Sequence, residues 1–136
     1  MNNPASVSVL IIDDNDVSRS MLRHILVNHK YRVVGEAGNG QLGLELARRL
    51  KPKLICLDIQ MPVANGIDVL KSVKEYLPHT AVLMVTGNND RESVMESVRH
   101  GAAGYIVKPF NPGTLLRTIE QALDGTAPGM TDPAQA

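Results

Sequence analysis

The stretch LICLDIQMPVANG, Leu54 to Gly66, decides how the chain is read. Apolar residues run straight into an aspartate, Asp58, followed by Met61-Pro62 and then by Gly66. An acid at the end of a strand that reads as fully buried is costly, because burying an unpaired charge is strongly unfavourable. Either Asp58 reaches solvent where the strand ends, or something there needs its charge.

Working outward, apolar runs alternate with helical patterns. Val7 to Ile12 reads as a buried strand that ends in DDND. Val17, Met21, Leu22 and Ile25 then recur at helical spacing, with Asp16 as the expected cap. Tyr31 to Ala37 is a second, more polar strand. A helix follows with Leu42, Leu46, Ala47 and Leu50 inward, and Pro52 stops it. KLICL (Lys53 to Leu57) is the third strand. Ile67, Leu70, Val73 and Leu77 mark the third helix, which Pro78 stops. AVLMVT (Ala81 to Thr86) is the fourth strand, and Asp90 to His100 is a short helix poor in apolar residues. Ala103 to Lys108 is the fifth strand. Asn111 and Pro112 open a last helix with Leu115, Leu116, Ile119 and Leu123 inward. Residues 125–136, rich in Gly, Pro and Ala, read as a disordered tail or the start of a linker, and residues 1–6 as a flexible N-terminus, leaving a domain over 7–124.

Five strands alternating with helices predict an α/β fold, a parallel sheet covered on both faces. The working site of such a sheet lies at the carboxyl ends of its strands. Asp13 and Asp14 follow strand one, Asp58 ends strand three, Thr86-Gly87 ends strand four and Lys108-Pro109 ends strand five. If strands one, three, four and five are neighbours, these residues meet. At about 4 Å and an effective dielectric near 20, each pair of like charges costs roughly 4 kcal/mol. The site therefore calls for a cation or raised pKa values. An all-oxygen donor set points to Mg²⁺. A carboxylate, a divalent ion, a lysine and a hydroxyl are the parts needed to place a phosphoryl group on aspartate.

The bulk numbers restrict the alternatives. The chain has 136 residues, 43% of them hydrophobic, with a formal net charge of +0. That balance lacks the footprint of a nucleic-acid binder. No run of 18 apolar residues predicts a membrane span, and a cytoplasmic protein is expected. The single cysteine, Cys56, lies inside an apolar run and reads as packing. His24, His29, His79 and His100 lack metal-ligand spacing and read as surface residues. GNGQLG, Gly38 to Gly43, offers a dinucleotide-binding reading, with Asp58 lying 20 residues past Gly38. That reading leaves Asp13, Asp14, Thr86 and Lys108 without a role. It also needs its first strand, the most polar of the five, at the centre of the sheet.

LIIDDND, LICLDIQMP…NG, LMVTG and YIVKPF, in that order, resemble the receiver domain of two-component response regulators. The match runs from Val7 to Asp124. The resemblance implies a (βα)5 flavodoxin-like sheet of order 2-1-3-4-5. It implies Asp58 as phosphoacceptor, served by a histidine kinase or phosphotransfer protein. Asp14 and Asp13 bind Mg²⁺ together with Asp58 and the backbone carbonyl of Gln60, Asp13 mainly through water. Lys108 and Thr86 contact the phosphoryl group, Tyr105 swings inward behind Thr86, and a cis peptide precedes Pro109. Gly87 leaves the site open, while Gln60 and Asn88 tune hydrolysis of the acyl phosphate. The output face is the fourth helix, fifth strand and last helix, facing an unknown partner protein, with the chain a monomer or a phosphorylation-dependent dimer. Asn65 departs mildly from the pattern, an aspartate being commoner before the glycine. Two alternatives accompany this expectation. One is a receiver cut from a longer regulator or hybrid kinase. The other is a Mg²⁺-dependent aspartyl-phosphate phosphohydrolase, disfavoured because Gln60 stands where such enzymes commonly carry an acid.

Overall fold

A computed structural model describes residues 3–61, 65–87 and 91–125. After a short 3₁₀ turn at Pro4–Ser6, five strands alternate with five helices. These are β1 (Ser8–Ile12), α1 (Asp16–Asn28), β2 (Arg32–Ala37), α2 (Gly40–Leu50), β3 (Leu54–Asp58), α3 (Gly66–Tyr76), β4 (Ala81–Thr86), α4 (Arg91–Arg99), β5 (Gly104–Val107) and α5 (Pro112–Asp124). All strand pairs are parallel, in the order β2-β1-β3-β4-β5.

Two-sided cover explains the continuous apolar runs. Alternate side chains of a strand point to opposite faces, so a strand clothed on both sides is apolar throughout. Leu10, Ile12, Ile55, Leu57, Val82 and Met84 pack with Ile67, Leu70 and Val73 of α3 and Ala47 of α2. Val9, Ile11, Cys56, Leu83 and Val85 pack on the other face with Leu22, Ile25 and Leu26 of α1 and Leu115 and Ile119 of α5. Each fully buried Leu or Ile contributes about 1.5–3 kcal/mol. Burial pushes the Cys56 thiol up to about 12, which leaves it protonated and inert.

The helix starts are set locally. Asn15, Asn39, Asn65 and Asn111 each sit in extended backbone and accept a hydrogen bond from a backbone N–H of the first turn. The cap of α1 is thus Asn15 and not Asp16, which is the first helical residue. The chain leaves β1 through a tight bend in which Asp13 accepts from Asn15 N, and this places Asn15 one step ahead of Asp16. One expected inward position is also corrected, since Leu42 faces outward, and of the residues at helical spacing in α1, Val17 (72% exposed) and Met21 face solvent. In α2 the inward stripe is carried by Gly43, Ala47 and the partly covered Leu44, Leu46 and Leu50. Strand limits differ from expectation by one residue except in β4, which runs Ala81–Thr86 as expected, and Asp58 is the last residue of β3. His24, His29 and His79 are exposed, and His100 is partly covered.

The dinucleotide-like GNGQLG is explained by packing. Its strand, β2, is at the edge of the sheet. Asn39 caps α2, and a Cβ on Gly43 would fall 2.6 Å from Cδ1 of Ile12, so the glycine lets α2 lie close on β1. Among the described residues no helix is long and apolar enough to cross a membrane.

Candidate functional site

The strand order puts the carboxyl ends of β1, β3, β4 and β5 side by side. Asp13 follows β1 directly. Its N–H donates to Ala37 O at 3.0 Å, which continues the β1–β2 ladder by one bond. Its carboxylate is 1% exposed and has two partners: Oδ1 accepts from Asn15 N at 2.9 Å, and Oδ2 from Lys108 Nζ at 3.1 Å. Asp58 ends β3, also buried, with Oδ1 accepting from Gln60 N at 3.2 Å and Oδ2 lying 3.7 Å from Lys108 Nζ. Lys108 follows β5 and reaches both carboxylates. Its backbone N–H donates to Thr86 O at 2.7 Å, which ties the ends of β4 and β5 together. Thr86 is itself buried at the end of β4. The Lys108-Pro109 peptide is cis, as expected.

Asp14 differs from its neighbour. It is exposed, and its carboxylate has no hydrogen-bond or ion-pair partner among the described residues. Carboxylate oxygens of Asp13, Asp14 and Asp58 nevertheless lie within 4.8 Å of one another. One lysine against three carboxylates leaves a net negative, partly dry pocket. The Asp58 pKa is pushed up to about 6, chiefly by burial, with repulsion from Asp13 adding to it and Lys108 and the Gln60 N–H opposing it. Such a cluster favours a hard divalent cation, for which oxygen donors alone are the preferred set. The residues present fit Mg²⁺.

Of the other expected residues, Tyr105 is half-buried on β5 against the core that includes Ala102 and Met84. Gln60 is exposed beside Asp58 and lines, with Asp14, Ile59, Met61, Asn65 and Ser93, an open groove of about 530 Å³ next to the acids. Gly87 is exposed with open space where a Cβ would stand. Asn88 and Pro62 lie outside the described residues. Sequence reasoning missed Arg19, whose Nη1 donates to the Asp13 carbonyl at 2.7 Å. Its only signal was an Asp16–Arg19 pair at i,i+3 on the polar face of α1.

An open parallel sheet of order 2-1-3-4-5 with an acid cluster and a lysine at its carboxyl edge is a flavodoxin-like domain of the CheY type. A family model described as the response regulator receiver domain matches residues 9–120, and the chain belongs to that family of two-component signalling domains. It is 35% identical over 113 residues to the chemotaxis protein CheY of Thermotoga maritima, covering 83% of this chain and 94% of that one. It is 35% identical over 126 residues to the nitrate/nitrite response regulator NarL of Escherichia coli K12, covering 92% of this chain but 58% of that longer protein. Among solved structures, chemotaxis protein CheY4 of Vibrio cholerae superposes with a TM-score of 0.80 at 35% identity, over 85% of this chain and 98% of that one.

Proposed function

We propose that the chain is a phosphorylation-controlled switch whose acceptor is Asp58. The observation that carries this reading is the shared lysine: Lys108 Nζ reaches Asp13 at 3.1 Å and Asp58 at 3.7 Å, in a pocket with too few cations for its acids. An oxygen of the Asp58 carboxylate attacks phosphorus in a phosphohistidine of a histidine kinase or phosphotransfer protein. The P–O bond forms, the P–N bond breaks, and the imidazole leaves with the bond pair and takes a proton. Asp14, Asp58, the Gln60 carbonyl and, mainly through water, Asp13 would hold Mg²⁺, which when bound would neutralise charge on the transferring oxygens. Lys108 holds the acyl phosphate from the β5 side. The Thr86 hydroxyl is the responding donor, and Tyr105 follows it, so that the α4, β5 and α5 face changes its affinity for an output protein or a second copy. The only chemistry the domain catalyses is its own phosphotransfer and autodephosphorylation, in the cytoplasm. Because the chain spans 58% of the NarL relative, an output region covalently attached to the receiver is the second reading of how the signal leaves.

Intact-mass spectrometry after incubation with acetyl phosphate tests this. We expect one phosphoryl adduct, dependent on Mg²⁺ and mapped to the peptide that carries Asp58. No adduct in Mg²⁺, together with no response to beryllofluoride, would remove the chemistry from the reading. Lys108→Ala is expected to slow adduct formation on the order of 100-fold at saturating Mg²⁺ and donor, the loss typical of one charge-stabilising donor. A rate within about 3-fold of wild type would show that Lys108 serves packing alone.

A further inference from the structure

The acid cluster contains one member, Asp14, that nothing holds. Asp13 is fixed by Asn15 and Lys108, and Asp58 by Gln60 and Lys108. The Asp14 carboxylate has no partner among the described residues, so its position follows from its backbone alone. That backbone begins at the Asp13–Asp14 peptide, whose carbonyl oxygen lies past the end of the β ladder and accepts from Arg19 Nη1 at 2.7 Å.

Arg19 is in turn held at several points. Nη2 meets the Asp16 carboxylate and Nε lies 3.5 Å from Glu36 on β2. Arg23 binds the same Glu36 at 3.1 Å, and a Cβ on Gly38 would fall 3.5 Å from Nη1. The guanidinium is therefore anchored to α1 and to the edge strand, and its side chain is only 21% exposed. A planar fork donating in fixed directions suits this use, and a lysine does not reproduce it.

We propose that Arg19 is a positioning residue for the cation site: it fixes the Asp13–Asp14 peptide plane and thereby the direction of the otherwise unheld Asp14 carboxylate, with Glu36 holding Arg19 in place. This rests on the reading of the acid cluster as a Mg²⁺ site. Outer partners that orient ligands commonly change metal affinity by about 10- to 100-fold when removed.

The sign of the effect separates this role from a general electrostatic one. Removing a cation near a cation site strengthens metal binding if Arg19 acts only through its charge. Positioning predicts the reverse. Mg²⁺ affinity measured by isothermal titration calorimetry on wild type, Arg19→Ala, Arg19→Lys and Glu36→Gln therefore tests it, with melting temperatures recorded alongside. We expect Arg19→Ala to weaken Mg²⁺ by about 10-fold or more, Arg19→Lys to recover only part of this, and Glu36→Gln to weaken it by about 2- to 5-fold. Acetyl phosphate labelling of Arg19→Ala should recover when Mg²⁺ is raised to saturation. Equal or tighter Mg²⁺ binding by Arg19→Ala, with wild type still binding, overturns the positioning role and leaves the site reading intact. Failure of wild type to bind Mg²⁺ overturns both. Should Arg19→Ala not fold, Arg19→Lys, which keeps the charge, carries the decision: weaker binding supports the role, and unchanged or tighter binding overturns it.

Discussion

Asp58→Asn is expected to remove all phosphoryl adduct and, in the same protein, to raise the stability of the Mg²⁺-free fold at neutral pH. The first half follows from chemistry, since an amide oxygen is not a nucleophile towards phosphorus under these conditions and leaves no acyl phosphate. The second follows from burial. The Asp58 carboxyl is held up to about 6 in the fold, chiefly by desolvation, against about 4 in an unfolded chain. A raised carboxyl pKa means that the folded state binds more protons than the unfolded state between about pH 4 and pH 6. Stability from this group is therefore present below that window and is lost as pH rises through it. At pH 8 the ionised carboxylate costs about 1–3 kcal/mol relative to a neutral amide of the same shape. Thermal unfolding without Mg²⁺ should show Asp58→Asn above wild type at pH 8, with the gap closing towards pH 5. Adding Mg²⁺ should raise wild type more than the variant, because the ion binds the folded site and the variant has lost a ligand. A variant no more stable than wild type at pH 8 would show that Lys108 and water already relieve Asp58 of its burial cost. The expected gap would instead mark the acceptor position as a site kept at a loss of stability for function, as functional sites often are.

The fold was legible because its signals are local and repeated. Most strands are apolar runs closed by a turn residue and most helices carry a stripe and a stop, with the polar β2 and the apolar-poor α4 as the weaker signals, so the order of elements could be read without any long-range information. The site was legible for a related reason. Asp13, Asp58, Thr86 and Lys108 stand at strand ends, and a parallel sheet brings strand ends to one edge. What escaped depended on directions that periodicity does not carry. Val17 and Met21 satisfy the helical spacing yet face solvent, because α1 buries the side that carries Leu22, Ile25 and Leu26. Asp16 looked like a cap because Asp and Asn share that preference, and only the bend at Asp13 decides between them. Arg19 escaped because a guanidinium that donates to a backbone carbonyl six residues earlier has no pattern in sequence. The different states of Asp13 and Asp14, one buried and paired and the other exposed and unheld, are likewise a property of the turn and not of the residue type.

Gly66→Ala is expected to be the most damaging small substitution in the domain. Gly66 begins α3, and its N–H donates to Ile59 O at 2.8 Å, closing the loop that leads out of β3. A Cβ there would sit well inside van der Waals distance of the Asp58 carbonyl oxygen and 2.7 Å from Ile59 Cα. Both are main-chain atoms, so no rotamer change relieves the contact. Either α3 or the end of β3 must shift. The first movement breaks the packing of Ile67, Leu70 and Val73 on the sheet, and the second moves the acceptor itself. Overpacking typically costs about 1–3 kcal/mol, and a clash against backbone belongs at or above the top of that range. We expect a loss of about 3–5 kcal/mol, enough to lower the melting temperature by roughly 10 °C or more. Two other glycines grade the test. Gly43→Ala has its three nearest contacts on the Ile12 side chain and should cost less, while Gly87→Ala meets nothing within 4 Å and should leave the melting temperature nearly unchanged. If Gly66→Ala melts with Gly87→Ala, the approach of α3 to β3 is looser than these distances imply. If it melts far below but the surviving folded fraction still takes up phosphoryl at the wild-type rate, helix α3 has yielded and the end of β3 has kept its place. A large loss in both would mean that one missing methyl group sets the fold and the position of the acceptor together, which is the outcome the backbone contact with Asp58 predicts.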